Sequence, residues 1–400
     1  MLTTVLDRVT TLIGRAFVIT AFFPLLLLVF VNIATISMIF GVGSITTRYA
    51  LLKDLATPAT VGFFLCLIAG AYALMILHPL LRGILEGTYP MGRVGTFFQK
   101  RNLAKFISLR ENSDRLGREA SDTKDFCDEC KRMLIAANNA ADKAGTEVVP
   151  EQQAASLSTA LDSFRTVWKD GKPLARPEFK KTVYELVSLY GAKTDKKLVE
   201  AFHKRVITLL DDYTNGAEAA HSQALVDLQA RFPVAQGVGA IATTSLGNVM
   251  AAMWSYPYSR YRIDATHMWP RLQKTISSEY LSVVEDASIA YNLSVTMVVL
   301  SFFYTYGWLL VALYHGASLL VPLGGAIVMM LFYAAAHQGA RSYSTVLQTS
   351  FDMFRFQLLT GLHVALPVSI ETERQKWESL NQVMVYGNNL EPLVYEDKPK

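Results

Sequence analysis

Three long and strongly apolar segments of this chain contain no Asp, Glu, Lys or Arg, and no other feature constrains its fold as strongly. They cover residues 16–47, 55–81 and 287–340. A membrane-spanning helix needs about 20 predominantly apolar residues, and each segment supplies them. The whole chain is only 18% charged, whereas soluble domains average about 25%. The sequence therefore predicts an all-α membrane protein that contacts a lipid bilayer.

The lengths of the charge-free segments predict four transmembrane helices. The first two segments hold one span each, at about 17–42 and 58–81. The third holds two spans, at about 292–314 and 318–339. We expect a turn between them at "YHGAS" (314–318), because glycine and serine favour turns.

The distribution of Lys and Arg predicts the orientation of these spans. Positive residues precede the first span, follow the second and precede the third, whereas the loop between the third and fourth has no charge. Cytoplasmic loops carry the excess of positive residues in membrane proteins. We therefore expect a multi-pass protein with both termini, and the large segment between spans 2 and 3, in the cytoplasm.

This topology divides the chain into four parts. Residues 1–90 hold the first pair of spans, and residues 291–340 hold the second pair. Residues 91–290 are expected to form a cytosolic helical domain with a juxtamembrane helix, and residues 341–400 a cytosolic helical tail. Apolar residues recur at helical spacing in four stretches of the cytosolic domain, at 160–170, 177–191, 193–213 and 217–232.

Capping residues mark several helix boundaries outside the spans. "TNG" (214–216) is expected to end the helix over 193–213, and Pro233 to end the next one. In the tail, Ser369 is the expected N-cap and Gly387 the expected C-terminal stop. The apolar face of the tail helix predicts a packing partner, and it consists of Ile370, Trp377, Leu380, Val383 and Met384.

The spans carry uncharged polar side chains but no charged ones. Ion-coupled transporters and proton relays usually place ionisable residues inside spans, so the sequence disfavours these classes. The polar side chains either line a pore or form hydrogen bonds between helices. The candidates for pore lining are Asn32, Ser294, Ser301 and Thr305.

Small residues recur at four-residue spacing in the second span. They are Gly62, Cys66 and Gly70. Small residues at this spacing allow two helices to approach closely. We therefore expect span 2 to be a packing helix, either within one subunit or between subunits of a homo-oligomer.

The pair Cys127 and Cys130 is the one candidate for metal or redox chemistry. Zinc usually takes four Cys or His ligands, and the other histidines of this domain, His203 and His221, are distant and isolated. Two ordinary helix cysteines are the favoured interpretation, and an intersubunit metal site is the alternative. No catalytic or nucleotide-binding motif occurs, so neither an enzyme nor a cofactor is expected, and no basic tract indicates nucleic acid.

The stretch "YPYSRYRIDATHMWPRL" (256–272) mixes aromatic residues, arginines and prolines just before the third span. One interpretation is a collar of Tyr, Trp and Arg at the lipid headgroups. The other is a buried network that couples the cytosolic domain to the spans. From Leu272 onward, helical spacing predicts one continuous helix into span 3. The candidate junction residues are Arg82, Glu86, Arg260, Asp264, Trp269 and Arg271.

Residues 246–272 also resemble a segment of uncharacterised bacterial four-span membrane proteins. The resemblance is carried by "LGN" (246–248), "YP" (256–257), "RY" (260–261), Asp264 and "WPRL" (269–272). Arg262 stands where the segment has glycine, which puts a tight turn there in question. The resemblance implies a bacterial inner (plasma) membrane and no particular activity.

Three function classes fit these observations, of which an enzyme of unrecognised type is the least favoured. The first is a homo-oligomeric membrane channel, or a membrane-perturbing effector, gated by its cytosolic helical domain. The second is a membrane-anchored scaffold or sensor that recruits a cytosolic protein partner and has no pore. The uncharged spans and the small-residue face of span 2 favour the first.

Overall fold

The computed structural model describes six parts of the chain, residues 14–40, 58–89, 92–143, 196–234, 240–316 and 318–387. The described residues form helices and no β-strand. The first helix, α1, is continuous but contains one π-helical stretch, so it consists of Arg15–Phe17, Val18–Phe22 and Phe23–Phe40. The other helices are α2 (Pro58–Glu86), α3 (Gly92–Lys143), α4 (Lys196–Arg231), α5 (Ser245–Tyr261), α6 (Ala265–Leu272), α7 (Ser278–His315), α8 (Leu320–Gly361) and α9 (Ile370–Tyr386).

Four of these helices, α1, α2, α7 and α8, are long and apolar enough to cross a membrane. This result confirms the all-α fold and the four predicted spans. The turn between the last two is confirmed as well, because α7 ends at His315 and Gly316 adopts a left-handed conformation (φ 64°). The division into domains and the side of the membrane on which each part lies stay predictions.

The last two membrane helices are much longer than the bilayer requires. Helix α8 has 42 residues, which at 1.5 Å per residue is about 63 Å, whereas the hydrocarbon core is about 30 Å thick. The predicted span at 318–339 therefore corresponds to the first half of α8, and the second half continues beyond the charge-free segment. Helix α7 likewise begins at Ser278, well before the span predicted from residue 292.

The chain divides into two compact units, of which the first comprises residues 1–104 and 229–400. Its main hydrophobic core joins α5, α6 and α9 to the second half of α8 and the first half of α7. The largest residues of this core that are almost fully buried are Leu246, Met253, Ile263, Met268, Tyr291, Phe351 and Trp377. A smaller cluster packs Phe17, Val18 and Ala21 of α1 against Ala71 of α2.

The second unit, residues 105–228, contains most of α3 and α4 as an antiparallel pair of helices. Two ion pairs set the register, because Lys124 binds Glu218 at 3.3 Å and Lys131 binds Asp211 at 2.6 Å. Buried residues of α3 recur every seven positions, at Phe106, Ser113, Ala120, Cys127 and Leu134. A seven-residue repeat is typical of a coiled coil, so this unit packs as an antiparallel coiled-coil-like hairpin.

Two predicted helix boundaries are wrong. Helix α4 runs through "TNG" (214–216) to Arg231, where Thr214 donates a hydrogen bond to the Leu210 carbonyl and so satisfies its hydroxyl inside the helix. The helix predicted to continue from Leu272 into span 3 is broken by a turn, and Ser277 caps the new start of α7 by accepting from the N–H of Tyr280. Side-chain capping satisfies the free N–H groups at a helix start, which periodicity alone does not reveal.

The boundaries of the tail helix are confirmed. Ser369 caps α9 together with Thr372, and Gly387 ends it with φ 69°. Within the predicted apolar face of this helix, Trp377 and Leu380 pack inward and are almost fully buried. Ile370 at the start of the helix is exposed. The partner of this helix is the core formed by α5, α6 and α8. The helical stretches predicted at 160–170 and 177–191 lie outside the described residues.

The turn in question at Arg262 does form, although the residue is not glycine. Arg262 adopts φ 67° and ψ 24° and ends α5. Its N–H donates to the Tyr258 carbonyl at 3.0 Å, and the N–H of Ile263 donates to the Pro257 carbonyl at 3.2 Å. These bonds, with a fully buried Ile263, hold a conformation that costs a non-glycine residue roughly 1–2 kcal/mol.

The "LGN" segment, residues 246–248, joins the start of α5 to the end of α2. Gly247 lies so close to α2 that a β-carbon there would collide with the carbonyl oxygen of Glu86. The side chain of Asn248 accepts from the N–H of Ala242 at 2.7 Å and donates to the carbonyl of Thr244 at 3.0 Å. Glycine is thus needed at 247 because the backbones of α5 and α2 approach closely there. Asn248 fixes the conformation of residues 242–244 just before α5.

We expect Gly247→Ala to lower the free energy of unfolding by about 1–3 kcal/mol, because overpacking a tight contact forces the backbone to shift. Thermal unfolding of the purified protein in detergent measures this change. Gly307→Ala is the matched control, since a β-carbon at Gly307 meets open space. Equal melting temperatures for the two variants would contradict the close contact.

Candidate functional site

Two polar clusters lie where the membrane helices meet the rest of the first unit. The first cluster contains Arg82 and Glu86 at the end of α2 and Tyr291 of α7. Arg82 Nε binds Glu86 Oε1 at 2.5 Å, and the hydroxyl of Tyr291 donates to the same oxygen at 2.7 Å. The Arg82 guanidinium also lies 5.1 Å from the centroid of the Tyr291 ring. A carboxylate with two donors is well satisfied at low exposure.

The second cluster, here called the Asp352 cluster, contains Tyr256, Tyr261, Asp352, Arg355 and Glu373. The hydroxyls of Tyr256 and Tyr261 donate to the Asp352 carboxylate at 3.0 and 2.7 Å. Arg355 covers the Tyr261 ring at 4.3 Å and binds Glu373 at 2.7 Å. Glu373 is only 4% exposed, so this pair is buried and joins α9 to α8.

The electrostatics of the Asp352 cluster keep its tyrosines protonated. Burial raises the pKa of Tyr256, and the neighbouring Asp352 carboxylate raises it further. Burial and the hydrogen bond to Asp352 raise the pKa of Tyr261. Both hydroxyls therefore remain hydrogen-bond donors across the physiological pH range, which suits a structural connection better than acid–base catalysis.

Backbone contacts attach α9 to the stretch 256–272 as well. Arg374 donates to the Arg260 carbonyl at 3.0 Å, and Asn381 donates to the Arg262 carbonyl at 2.5 Å. The N–H of Asp264 in turn donates to the Asn381 side chain at 3.1 Å. The turn between α5 and α6 is therefore held by side chains of the tail helix.

The structure separates the six predicted junction residues. Arg82 and Glu86 form the first cluster. Asp264 caps α6 and binds His267, whose carbonyl accepts from Arg271 at 2.6 Å. Arg260 and Arg271 are exposed, and only Trp269 reaches the core, where its ring packs against Phe351. Arg260 and Arg271 are therefore not part of a buried network within this unit, and their role in coupling stays a prediction.

Two predicted pore-lining residues are occupied by contacts inside the subunit. Asn32 accepts from the indole N–H of Trp308 at 3.0 Å and donates to the Leu28 carbonyl at 2.8 Å. Ser294 donates to the Ala290 carbonyl at 3.0 Å. Nearby, the hydroxyl of Thr35 donates to the Val31 carbonyl and accepts from Tyr304 at 2.9 Å. The bonds of Asn32 to Trp308 and of Thr35 to Tyr304 link α1 to α7, whereas the Ser294 bond stays within α7.

The other two pore candidates, Ser301 and Thr305, lie on α7 where it packs against neighbouring helices. The Thr305 hydroxyl is buried and has no hydrogen-bond partner among the described residues. A β-carbon on Gly325 of α8 would lie 2.5 Å from that hydroxyl, so Thr305 sits in the contact between α7 and α8. Ser301 is 7% exposed and lines an apolar groove.

The predicted packing face of α2 is only partly used within the subunit. A β-carbon on Gly70 would lie 3.1 Å from the Leu25 side chain, whereas one on Gly62 would meet open space, and Cys66 is exposed. The buried face of α2 is instead centred on Leu67 and Ala71. Gly62 and Cys66 therefore make no close contact within the described residues of this subunit.

Cys127 and Cys130 are buried seam residues of the coiled-coil-like hairpin. Cys127 is completely buried and Cys130 is 3% exposed. Burial raises the pKa of Cys127, and burial together with the neighbouring Cys127 raises that of Cys130 to about 12. The part of the chain that the structure describes contains no group of three or more potential metal ligands. Packing between α3 and α4 accounts for both cysteines.

Several residues of these sites were not anticipated from the sequence. Asp352, Arg355 and Glu373 follow the last span as ordinary helix charges, and only the fold brings them to Tyr256 and Tyr261. The coiled-coil register did leave a signal in the seven-residue spacing of Phe106, Ser113, Ala120, Cys127 and Leu134. The repeat is hard to recognise in the sequence, because its members are mostly small or polar rather than large and apolar.

No protein family, no curated protein and no solved structure matches this chain. Its function is therefore inferred from the geometry and chemistry of its own residues.

We expect Glu373→Gln to lower the free energy of unfolding by about 3 kcal/mol, because it leaves Arg355 buried without its counter-charge. Thermal unfolding and hydrogen exchange of α9 measure the loss, and Arg355→Met added to Glu373→Gln should recover part of it. Asp286→Asn is the matched control, since Asp286 and Arg15 form an exposed pair in the same unit, worth less than about 1 kcal/mol. Equal effects of the two single variants would show that the Glu373 pair does not hold α9.

We expect a maleimide to leave Cys127 and Cys130 unmodified in the folded protein at about pH 8, because a raised pKa reduces the reactive thiolate. Mass spectrometry of peptides from labelled protein measures this, with labelling after unfolding as the reference. Raised thiol pKa values also mean that the stability contributed by the neutral thiols is present below pH 9.0 and is lost as pH rises towards about 12. Rapid labelling of native protein would contradict the buried seam.

Proposed function

We propose that this protein is a membrane-anchored scaffold or sensor that presents its helical parts to a cytosolic protein partner. The observation that carries this proposal is the pairing of Asn32 with Trp308 inside the spans. A side-chain amide that would otherwise suit a water-filled path is used to join α1 to α7. In lipid, such bonds satisfy polar groups that have no water available.

The helical parts outside the spans suit a platform. In the first unit, α9 is fixed to α5, α6 and α8 by the buried pair of Arg355 and Glu373 and by contacts to backbone carbonyls. In the second unit, the coiled-coil-like hairpin still exposes apolar side chains. Ile107 and Ile135 of α3 are 44% and 49% exposed, and Val226 of α4 is 57% exposed. Exposed apolar residues on a long helical pair are a common basis for protein recognition.

The proposed topology places the helices outside the four spans in the cytoplasm of a bacterial cell. The positive-inside distribution of Lys and Arg supports this orientation, and the resemblance of residues 246–272 supports the bacterial inner membrane. Helix α8 continues well past the charge-free segment. This extension supports a folded helical part on the side of the membrane where the tail lies.

A homo-oligomeric channel gated by the cytosolic helices is the second candidate. The open face of α2 favours it, because Gly62 and Cys66 have room for another helix. Neighbouring subunits could pack there through small residues. A pore would then form between subunits rather than within one.

Ion flux into liposomes that contain the purified full-length protein tests the two proposals. A scaffold gives no flux above protein-free liposomes. A channel gives a flux that Gly62→Leu on the open face of α2 abolishes, because the larger side chain blocks packing between subunits, and its mass with detergent subtracted corresponds to four or more subunits. A reproducible flux with this sensitivity would replace the scaffold proposal.

A photocrosslinking amino acid at Val226 tests for the partner in cells. We expect one adduct with a second protein, and the same probe at Leu323 is the control, because that exposed residue lies in the charge-free part of α8. Adducts between copies of this chain alone would favour the oligomeric channel over the scaffold.

A further inference from the structure

We propose that a groove between α1, α7 and α8 binds one alkyl chain of a membrane lipid. The groove has a volume of about 400 Å³, which falls within the about 300–1,000 Å³ typical of small-molecule sites. Thirteen residues line it, and none of them is charged. This inference does not depend on the scaffold proposal.

The position of the groove identifies the chemistry of its occupant. All of its walls belong to the charge-free segments 16–47 and 287–340, and α1, α7 and α8 are long and apolar enough to span a bilayer. The medium around these segments is then hydrocarbon rather than water. Leu27 and Val31 at the rim are 51% and 40% exposed, so a chain can enter from the side.

One lining side chain of the groove is held in place by a polar contact between two helices. Tyr304 lines the groove and is fixed by its hydrogen bond to Thr35 on α1. Pro24 also lines it, just after the π-helical stretch of α1, and proline restricts the backbone there. Ser301 lies on the same wall, 7% exposed, and forms no hydrogen bond with the described residues. The groove is therefore a shaped surface between three helices and not a gap left by one flexible side chain.

Gly324 provides a way to fill the groove without disturbing the fold. It lines the groove, and a β-carbon there meets nothing within 4 Å. Gly324→Leu therefore places a branched side chain in the space proposed for the lipid chain. Gly307→Leu is the matched control, because Gly307 lies in the charge-free part of α7, meets open space in the same way and does not line the groove.

Photolabelling of the full-length protein in liposomes tests the proposal. The probe is a phosphatidylglycerol with a diazirine in one acyl chain, and mass spectrometry locates the adducts. We expect adducts on residues around the groove, including Leu27 and Val328, that decrease when excess unmodified phosphatidylglycerol is added. Gly324→Leu should lower these adducts to the level seen with excess competitor, since its side chain occupies the space proposed for the labelled chain, and Gly307→Leu should leave them unchanged.

Three results would overturn the proposal. Labelling spread evenly over the outward faces of the spans, and not reduced by competitor, indicates ordinary bilayer contact. Equal labelling of Gly324→Leu and Gly307→Leu indicates that the groove is not the site. Absence of adducts together with a smaller oligomeric mass for Gly324→Leu indicates that a second copy of the chain fills the groove. If Gly324→Leu fails to fold, Val328→Phe at the exposed rim fills the same space and is held to the same expectation.

Discussion

The packing of α7 against α8 is the interaction on which the first unit depends. The two helices approach so closely that a β-carbon on Gly339 would lie 3.2 Å from the Cα of Tyr291. Both helices are longer than a bilayer is thick. One part of the pair therefore lies in the charge-free segments, and the other part extends beyond them. Helices α1 and α2 pack around its charge-free part, and α5, α6 and α9 pack around its extension.

The two parts of the pair are stabilised by different chemistry. In the charge-free part there is little hydrophobic drive between helices, so association relies on small residues and on hydrogen bonds such as that of Trp308 with Asn32. Beyond it, burial of residues such as Trp377 provides the usual hydrophobic stabilisation. The Asp352 cluster, which includes the pair of Arg355 and Glu373, then fixes one arrangement of the helices, because buried charges are tolerated only with their partners.

The polar residues of the spans illustrate how far sequence reasoning extends. Asn32, Ser294, Ser301 and Thr305 were equally good candidates for a pore or for contacts between helices. The fold assigns Asn32 to Trp308 and Thr305 to the contact with Gly325, and it places Ser301 on a groove. No periodicity distinguishes these outcomes, because each depends on which helix lies opposite the residue.

The sequence by itself determined the helical class, the four spans, the turn near Gly316 and the caps of α9 at Ser369 and Gly387. These features depend on local composition and on residues close in the chain. Only the tertiary structure decided that Glu373 meets Arg355, that the α5–α6 turn is held by Asn381, and that Arg260 and Arg271 face outward. Those contacts join residues far apart in sequence, so their partners are chosen by how the helices pack.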